Sequence, residues 1–287
     1  MSANLIGPAP STARTRRTRG RTPAGQPLGV ASSLGLGVSV IWFSLLVLIP
    51  LTAVVAAAGT DGWSGFWSTV TTPQTAAALR LTVTQSLAVT AINVVMGTAL
   101  AWVLVRDRFW GKRVLDIVID VPFALPTIVA GLVLLSLYGP QSPLSVDVAN
   151  TRVAVFLALA FVTLPFVVRT VQPVLESLER DVEEAAASLG ASRGTTFRRI
   201  ILPSLAPAIA AGAALSFARG ISEYGSLVLL SGNLPNRTEV ASVRVLSYIE
   251  NGNEAAAASV AAILLVVALS VIVALDVIQR RVARRGD

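Results

Sequence analysis

The feature that most constrains this chain is a series of long apolar runs that carry few or no charges. The first, residues 34–58, holds 25 residues without a charged side chain. Roughly 20 helical residues are enough to cross the hydrocarbon core of a bilayer. We therefore expect an all-α, polytopic integral membrane protein with six transmembrane helices, at residues 34–58, 81–105, 114–138, 153–171, 206–230 and 255–277.

The composition agrees with a membrane environment and excludes several kinds of chemistry. Hydrophobic residues make up 54% of the chain and charged residues 14%, where soluble domains have about 25% charged. There is no cysteine and no histidine. Disulfides, thiolate or imidazole metal ligands, and Cys-His or Ser-His nucleophile pairs are therefore excluded. A membrane-bound enzyme remains an alternative, although the most common general base is absent.

The basic residues predict the orientation of the chain in the membrane. Of 23 lysines and arginines, 18 fall in residues 1–30, 106–113, 169–199 and 280–287, whereas the alternate loops hold only four. Cytoplasmic loops carry an excess of Lys and Arg. Both termini and the polar segment 173–203 are therefore expected in the cytoplasm. These separate clusters do not make the continuous basic face that nucleic-acid binding requires, so we expect no nucleic-acid partner.

The N-terminal segment predicts a tail followed by a retained first helix. Residues 1–30 are rich in Pro, Gly, Ser, Thr and Arg, and we expect a disordered cytoplasmic tail. A cleaved signal peptide is the alternative, with the small residues 56–58 as its cleavage site. Because a signal core spans about 7–15 residues, we favour an uncleaved helix at residues 34–58. Residues 280–287 are expected to form a basic cytoplasmic tail.

The polar segment 173–203 separates the fourth and fifth apolar runs. Apolar residues recur at helical spacing through its first half, at positions 174, 178, 182, 185 and 189. Gly190 stands where glycine can end a helix in the left-handed conformation. Ser192 can cap a second short helix that precedes Pro203. We expect a helix–turn–helix with one face available, and a plain solvated loop is the alternative that periodicity leaves open.

Other polar residues lie inside or beside the apolar runs. Asp116 and Asp120, near the start of the third run, suit a helix N-terminus. Arg169, at the end of the fourth run, can extend to the lipid headgroups. The second run is polar on one face, which predicts either interhelical hydrogen bonds or the wall of a wet cavity; the residues are Thr82, Thr84, Gln85, Ser86, Thr90 and Asn93.

The polar segment carries a resemblance to a known family. Glu184, Ala185, Ala186, Gly190, Ile200, Leu202 and Pro203 stand at the spacing of the EAA motif, and the segment resembles that of binding-protein-dependent ABC importer permeases. The resemblance implies a coupling helix seated on an ATP-hydrolysing subunit, with these seven residues at the joint. The chain lacks a GxxxxGK[ST] phosphate loop, so ATP and Mg²⁺ are expected in the partner and no cofactor in this chain.

Three further stretches are similar to sulfate permeases of the CysT type. They lie at residues 122–127, 163–176 and 217–226, and together with the EAA segment the similarity covers residues 79–279. It implies a type I importer permease core in a bacterial inner membrane, translocating sulfate or thiosulfate by alternating access. The implied partners are a dimer of ATP-binding subunits, a paralogous second permease, an extracytoplasmic sulfate-binding protein and membrane lipid.

Two transport alternatives stay open at this point. Molybdate or tungstate permeases are similar in the EAA region. An ATP-independent secondary transporter would be supported by inverted repeats, and the sequence shows no convincing internal repeat.

Five residues are candidates for a translocation path or gate. Arg219 and Glu223 are four residues apart in the fifth run, so they can pair on one helix face. An unpaired arginine at the bilayer centre costs about 2.5–3.5 kcal/mol, which pairing offsets. The alternative is an ion pair that only fixes helix packing. Pro122 and Pro126 should kink or break the third helix, and Pro165 interrupts the fourth.

Overall fold

The computed structural model describes residues 30–283. The expectations for residues 1–29 and 284–287 lie outside the described residues. The described residues divide into two compact units, one up to Pro50 and one from Leu51 onward.

The described residues form helices joined by turns and loops, with no strand between residues 30 and 283, which confirms the all-α expectation. The helices are α1 (Val30–Phe43), α2 (Ile49–Ala58), α3 (Gly62–Val70), α4 (Pro73–Arg106), α5 (Lys112–Ala124), α6 (Thr127–Tyr138), α7 (Arg152–Ser177), α8 (Arg180–Ser188), α9 (Arg193–Thr196), α10 (Leu202–Ile221), α11 (Gly225–Leu230), α12 (Ala241–Glu250) and α13 (Glu254–Ala283). Two π-helical turns, Ser44–Leu48 and Phe197–Ile201, join α1 to α2 and α9 to α10.

The predicted spans appear as five long apolar helical stretches and one bent pair. The five are Ser32–Ala58, Pro73–Arg106, Arg152–Ser177, Arg193–Ile221 and Glu254–Arg281. The sixth is α5 with α6, which change direction by 119° between them. Several stretches are longer than the uncharged runs because helices extend into the polar residues at their ends.

Helix α7 packs closely between α4 and α10. A Cβ atom on Gly97 of α4 would lie 2.8 Å from Cβ of Val167, and one on Gly212 of α10 would lie 3.0 Å from Cα of Val167. Glycine at both positions therefore lets the two backbones approach the same residue from two sides. Close approach through small residues is how helices associate in lipid, where the hydrophobic effect does not drive them together.

Two apolar clusters lie at opposite ends of the unit that begins at Leu51. One is built around Leu104, Ile119 and Leu175 and includes Ile201 and Leu205, beside the polar segment. We call the end of the unit that holds this cluster the loop end. The far end holds the other cluster, formed by Leu81, Val89, Leu134, Val155, Leu159, Leu227 and Val240. Since Ile119 belongs to α5 and Leu134 to α6, the bent pair reaches from one end to the other.

The polar face of the second span forms hydrogen bonds between helices at two positions. Thr82 Oγ1 accepts from the backbone N–H of Ala241 at 2.8 Å. Asn93 Nδ2 donates to Thr163 Oγ1 at 2.8 Å. Ser86 and Thr90 are buried and make no hydrogen bond. Interhelical bonding therefore accounts for Thr82 and Asn93, and the role of the other polar residues stays open.

The predicted proline break occurs at Pro126 and not at Pro122. Helix α5 runs through Pro122 to Ala124, after which Leu125 is extended, with φ −91° and ψ 135°. The ring of Pro126 disfavours helical conformation in the residue before it, which is why Leu125 leaves the helix. Pro126 then precedes the first turn of α6, where a missing N–H costs no helical bond.

Arg169 of α7 holds α5 in place, which corrects two expectations. Its Nε and Nη2 donate to the two carboxylate oxygens of Asp120 at 2.7 and 2.6 Å. Its Nη1 donates to Asp116 Oδ1 at 2.7 Å. The aspartates are therefore ion-pair partners on the α7 side of α5, and Arg169 bonds to them instead of extending to the headgroups. Two carboxylates within reach satisfy the guanidinium fork better than solvent at the helix end.

We predict that Arg169→Gln lowers the stability of the folded protein by about 1–2 kcal/mol, because it leaves two partly exposed carboxylates without their partner. The measurement is the thermal unfolding midpoint of the detergent-purified protein. Arg280→Gln is the control, since it breaks an exposed pair with Asp276 and should shift the midpoint far less. Equal shifts for the two variants would contradict this role of Arg169.

Candidate functional site

The polar segment forms a hairpin of two helical arms at the loop end. Its first arm, α8, ends in a Schellman motif: Ala191 N–H donates to Ala186 O at 3.0 Å and Gly190 N–H to Ala187 O at 2.9 Å. Gly190 has φ +81°, as predicted from its position. A Cβ there would meet nothing within 4 Å. Glycine is therefore required for its backbone conformation and not for lack of space.

The second arm begins as predicted and continues further than predicted. Ser192 Oγ accepts from the N–H of Thr195, which confirms the cap. The helix then passes through the π-helical turn and Pro203 without a break, so that Arg193–Ile221 is one continuous stretch. The prediction of a separate second helix that ends before Pro203 was therefore wrong. In the π-helical turn the N–H of Leu202 donates to Phe197 O. The helix then continues through Pro203 directly after this wider turn.

The first arm is shorter than the periodicity indicated. Helix α7 ends at Ser177, and Leu178 and Glu179 are extended, so α8 begins only at Arg180. The apolar stripe that ran from position 174 is therefore divided between two helices. Its later members lie on the surface: Val182 is 47% exposed and Leu189 is 89% exposed.

The seven residues of the EAA pattern lie along this hairpin in different environments. Glu184, Ala185 and Gly190 are exposed on the first arm and the turn, and Ala186 is buried. On the second arm Ile200 is half-buried, whereas Leu202 and Pro203 are exposed. The hairpin thus presents a carboxylate and uncovered apolar side chains together, which is a surface that can dock on another protein.

Arg106, the last residue of α4, connects the membrane helices to the hairpin. Its Nη2 lies 2.5 Å from Glu183 Oε1, and the two side chains are 10% and 30% exposed. The guanidinium also lies over the ring of Trp102, at 5.9 Å from the centroid. Trp102 makes an edge contact with Phe197 of the second arm, with ring centroids 5.6 Å apart. The end of α4 therefore contacts both arms.

Sequence reasoning placed Arg106 only in a basic loop and did not pair it with Glu183. The two residues are far apart in the chain, and no spacing rule joins them. The one available signal was that Glu183 is an acidic residue of the polar segment, directly before the EAA pattern.

An open groove of about 1320 Å³ lies between the hairpin arms and the end of α4. Glu183, Glu184 and Asp107 supply negative charge to its wall. Arg106, Arg193, Arg198 and Arg199 supply positive charge. We call this the coupling groove. Within residues 30–283 there is no group of three acidic side chains arranged to hold a metal ion.

The candidate path residues lie around a second helix break. The fifth run was expected to be one helix to residue 230, but α10 ends at Ile221 and α11 begins at Gly225. Arg219 Nη2 lies 3.0 Å from Glu223 Oε2, which confirms the predicted pair. Glu223 is 1% exposed, and its Oε1 accepts from the backbone N–H of Ser226 at 2.9 Å. Its carboxylate therefore satisfies an N–H in the first turn of α11, which the interruption leaves without a helical partner.

The two broken spans meet at their breaks. A Cβ on Gly225 would collide with Thr127 Oγ1 and lie 2.8 Å from Ile128 N, at the start of α6. A Cβ on Gly131 would lie 2.9 Å from Cα of Ser226. The structure therefore brings the break at Leu125 and Pro126 next to the break that holds Glu223.

Pro122 and Pro165 are followed in the chain by Phe123 and Phe166, whose rings make an edge contact, with ring centroids 5.0 Å apart. Pro165 is buried in the middle of α7.

Comparison with known proteins connects these features to one family. The family described as "Binding-protein-dependent transport system inner membrane component" matches residues 93–285. Curated relatives are the "Sulfate transport system permease protein CysT" of Salmonella typhimurium, 39% identical over 88% of this chain and 94% of the relative, and that of Synechocystis, 42% identical over 85% and 87%. A "Probable sulfate transport system permease protein cysT" of Nephroselmis olivacea is 40% identical over 84% and 87%.

Solved structures share the fold at low sequence identity. A chain of a bacterial alginate ABC transporter, in complex with an alginate pentasaccharide-bound periplasmic protein, superposes with a TM-score of 0.72. It is 19% identical, over 88% of this chain and 94% of that one. A chain of an amino acid ABC transporter superposes with a TM-score of 0.56 at 22% identity, over 75% and 98%.

We predict that Gly190→Ala loosens the hairpin, because alanine is disfavoured at positive φ by about 1 kcal/mol. Hydrogen exchange followed by mass spectrometry should show amides of residues 185–191 exchanging about fivefold faster. Gly194→Ala is the matched control, since a Cβ there also meets nothing within 4 Å and its helical backbone accepts alanine. Unchanged exchange in Gly190→Ala would show that the turn conformation does not hold the hairpin.

Proposed function

The chain belongs to the family of binding-protein-dependent transport system inner membrane components, and from this we propose that it is one membrane subunit of an ATP-driven importer of sulfate. The assignment of sulfate as the substrate rests on one observation. The chain is 38–42% identical, over most of its length, to relatives described as sulfate transport permeases. Thiosulfate is a second substrate on this proposal. The protein would act by alternating access and catalyse no reaction itself.

The hairpin is the proposed entry point for the energy of ATP. Its exposed stripe, with Val182 and Leu189, has no cover within the described chain and suits a cleft on a partner. Glu184 lies beside this stripe and lines the coupling groove. We place a dimer of ATP-binding subunits here, which would hold the ATP and Mg²⁺. The seven EAA residues would form this joint.

Two connections would carry motion from the hairpin into the membrane helices. The second arm is continuous with α10 up to Ile221, so a displacement of the hairpin acts directly on that helix. The ion pair between Arg106 and Glu183 links the first arm to α4. Movement of both helices would open the protein alternately to the two sides of the membrane.

The remaining partners follow from the proposed orientation. The excess of basic residues on one set of loops supports both termini and the hairpin in the cytoplasm of a bacterial cell. The far end would then face an extracytoplasmic sulfate-binding protein. There the segment before α7 is bonded to the last residue of α11, through Asn150 N–H to Leu230 O at 3.1 Å. A paralogous permease subunit would complete the membrane part.

Arg219, Glu223, Pro122, Pro126 and Pro165 are proposed to act at the path or its gate. The contact between the two broken spans supports this for Pro126 and Glu223, since irregular backbone at membrane depth is tolerated where it is buried in protein or lines a cavity. A neutralised arginine is a poor dedicated ligand for sulfate. We therefore assign the Arg219–Glu223 pair to the gate and the choice of anion to the external binding protein.

The test of the transport proposal is sulfate uptake in a bacterial strain that lacks its own sulfate importer. Expression of this chain with its ATPase, second permease and binding protein should restore uptake of radiolabelled sulfate. Excess unlabelled thiosulfate should compete and molybdate should not. Competition by molybdate alone would assign the protein to molybdate or tungstate transport. Uptake that persists without the ATPase subunit would indicate a secondary transporter.

Reversing the charge at Glu184 should uncouple the protein from its ATPase. We predict that Glu184→Lys reaches the membrane normally but retains on the order of tenfold less ATPase on purification, because a lysine replaces the docking carboxylate. Glu179→Lys is the control: it makes the same charge change in the same segment but does not line the coupling groove. Wild-type co-purification and uptake by Glu184→Lys would contradict the docking role.

Neutralising one member of the Arg219–Glu223 pair should impair uptake more than neutralising both. Arg219→Gln leaves a buried carboxylate without its cation, and Glu223→Gln leaves the cation. The double variant removes both charges and should recover part of the activity. The measurement is the uptake rate at equal membrane abundance. Wild-type rates in all three variants would reduce the pair to a packing contact.

A further inference from the structure

A second groove, of about 590 Å³, opens beside the turn between α4 and α5. Its wall includes Trp110, Lys112, Arg113, Gln172 and Glu176. It shares no lining residue with the coupling groove. Neither the EAA pattern nor the candidate path accounts for it.

The groove carries both signs of charge. Lys112 and Arg113 come from the first turn of α5, and Glu176 from the last turn of α7. None of the ion pairs in the described part of the chain includes any of these three. Glu176 accepts a hydrogen bond from Gln172 Nε2 at 3.1 Å and is exposed. Asp116 also lines the groove, but its carboxylate is paired with Arg169. The groove therefore offers two cations from α5 and, from α7, the carboxylate of Glu176, which has no ion-pair partner in the described residues.

Its surroundings are strongly apolar. Trp110 is fully exposed, on a turn where Gly111 has φ +89°. Val114, Ile117 and Val118 are 63%, 62% and 55% exposed, and they form one face of α5 by their spacing. This face begins at Val114, the residue that follows Lys112 and Arg113 of the groove. A ligand that fits both features has a charged head and an apolar tail.

We propose that this groove binds the headgroup of a phospholipid that carries a phosphate and a primary ammonium, as phosphatidylethanolamine does. The phosphate contacts Lys112 and Arg113. The ammonium donates to Glu176 and lies against the ring of Trp110. The acyl chains follow the exposed face of α5.

Other common headgroups fit less well. Phosphatidylglycerol supplies no cation for Glu176, and the quaternary ammonium of phosphatidylcholine cannot donate a hydrogen bond to it. A bound phosphatidylethanolamine connects the start of α5 to the end of α7. These are the same two helices that Arg169 joins through Asp116 and Asp120. The lipid would therefore reinforce the attachment of α5.

The test is native mass spectrometry of the protein released from nanodiscs that contain equal amounts of phosphatidylethanolamine, phosphatidylglycerol and phosphatidylcholine. We expect phosphatidylethanolamine to be retained about three- to tenfold above its share of the bilayer, the scale that a few partly exposed ionic contacts supply. Glu176→Gln should reduce that enrichment to about the bulk share. The double variant Lys112→Gln with Arg113→Gln should lose enrichment of every phospholipid.

Two single variants control for general charge effects. Arg108→Gln removes a cation from the turn between α4 and α5. Glu179→Gln removes a carboxylate near the end of α7. Neither residue lines the groove. Both should retain phosphatidylethanolamine as the wild type does. Absence of enrichment, equal retention of phosphatidylcholine, preference for phosphatidylglycerol, or unchanged enrichment in Glu176→Gln would each overturn the proposal. Because Glu176→Gln changes one exposed side chain, the test stands even if the double variant fails to fold.

Discussion

Close packing of α4 and α10 against α7 is the contact on which the other features depend. Gly97 and Gly212 allow both helices to approach Val167, and a Cβ on either would force them apart. The same two helices connect to the hairpin: α4 through Arg106, and α10 by direct continuation of the second arm. A separation of the helices at Val167 would therefore also move the arms of the hairpin relative to each other. The shape of the coupling groove therefore depends on the contacts of α4 and α10 with Val167, inside the helix bundle.

Three arginines in or beside the apolar helices, Arg106, Arg169 and Arg219, each lie within reach of a carboxylate. Arg106 and Arg169 each join two elements at the loop end, through Glu183 and through two aspartates. Arg219 pairs with Glu223 at a helix break. Charges in an apolar environment are costly unless they are paired. Each pair therefore lowers that cost. Each also fixes the position of a segment that lies next to a helix end or a helix break, where the backbone has fewer hydrogen bonds to hold it.

What could be predicted from sequence is what local physical chemistry determines. The turn at Gly190 and the cap at Ser192 depend on residues within one helical turn, and both were predicted correctly. The break at Leu178 and the continuous helix through Pro203 were missed, since periodicity does not register a change of helix within an apolar stripe, nor a π-helical turn before a proline. The partners of Arg106 and Arg169 could not be predicted because they lie on helices that only the tertiary fold brings together.

The proline at position 126 and the glutamate at position 223 show why the two broken spans belong together. Each break leaves backbone groups without their usual helical partners, and in lipid such groups must be satisfied by protein. Glu223 satisfies the N–H of Ser226, while Gly225 and Gly131 let α6 and α11 pack backbone against backbone. Arg219 then balances the charge of that carboxylate. The ion pair thus follows first from the need to begin a helix inside the bundle, and a gate at this position would use a junction that the fold already demands.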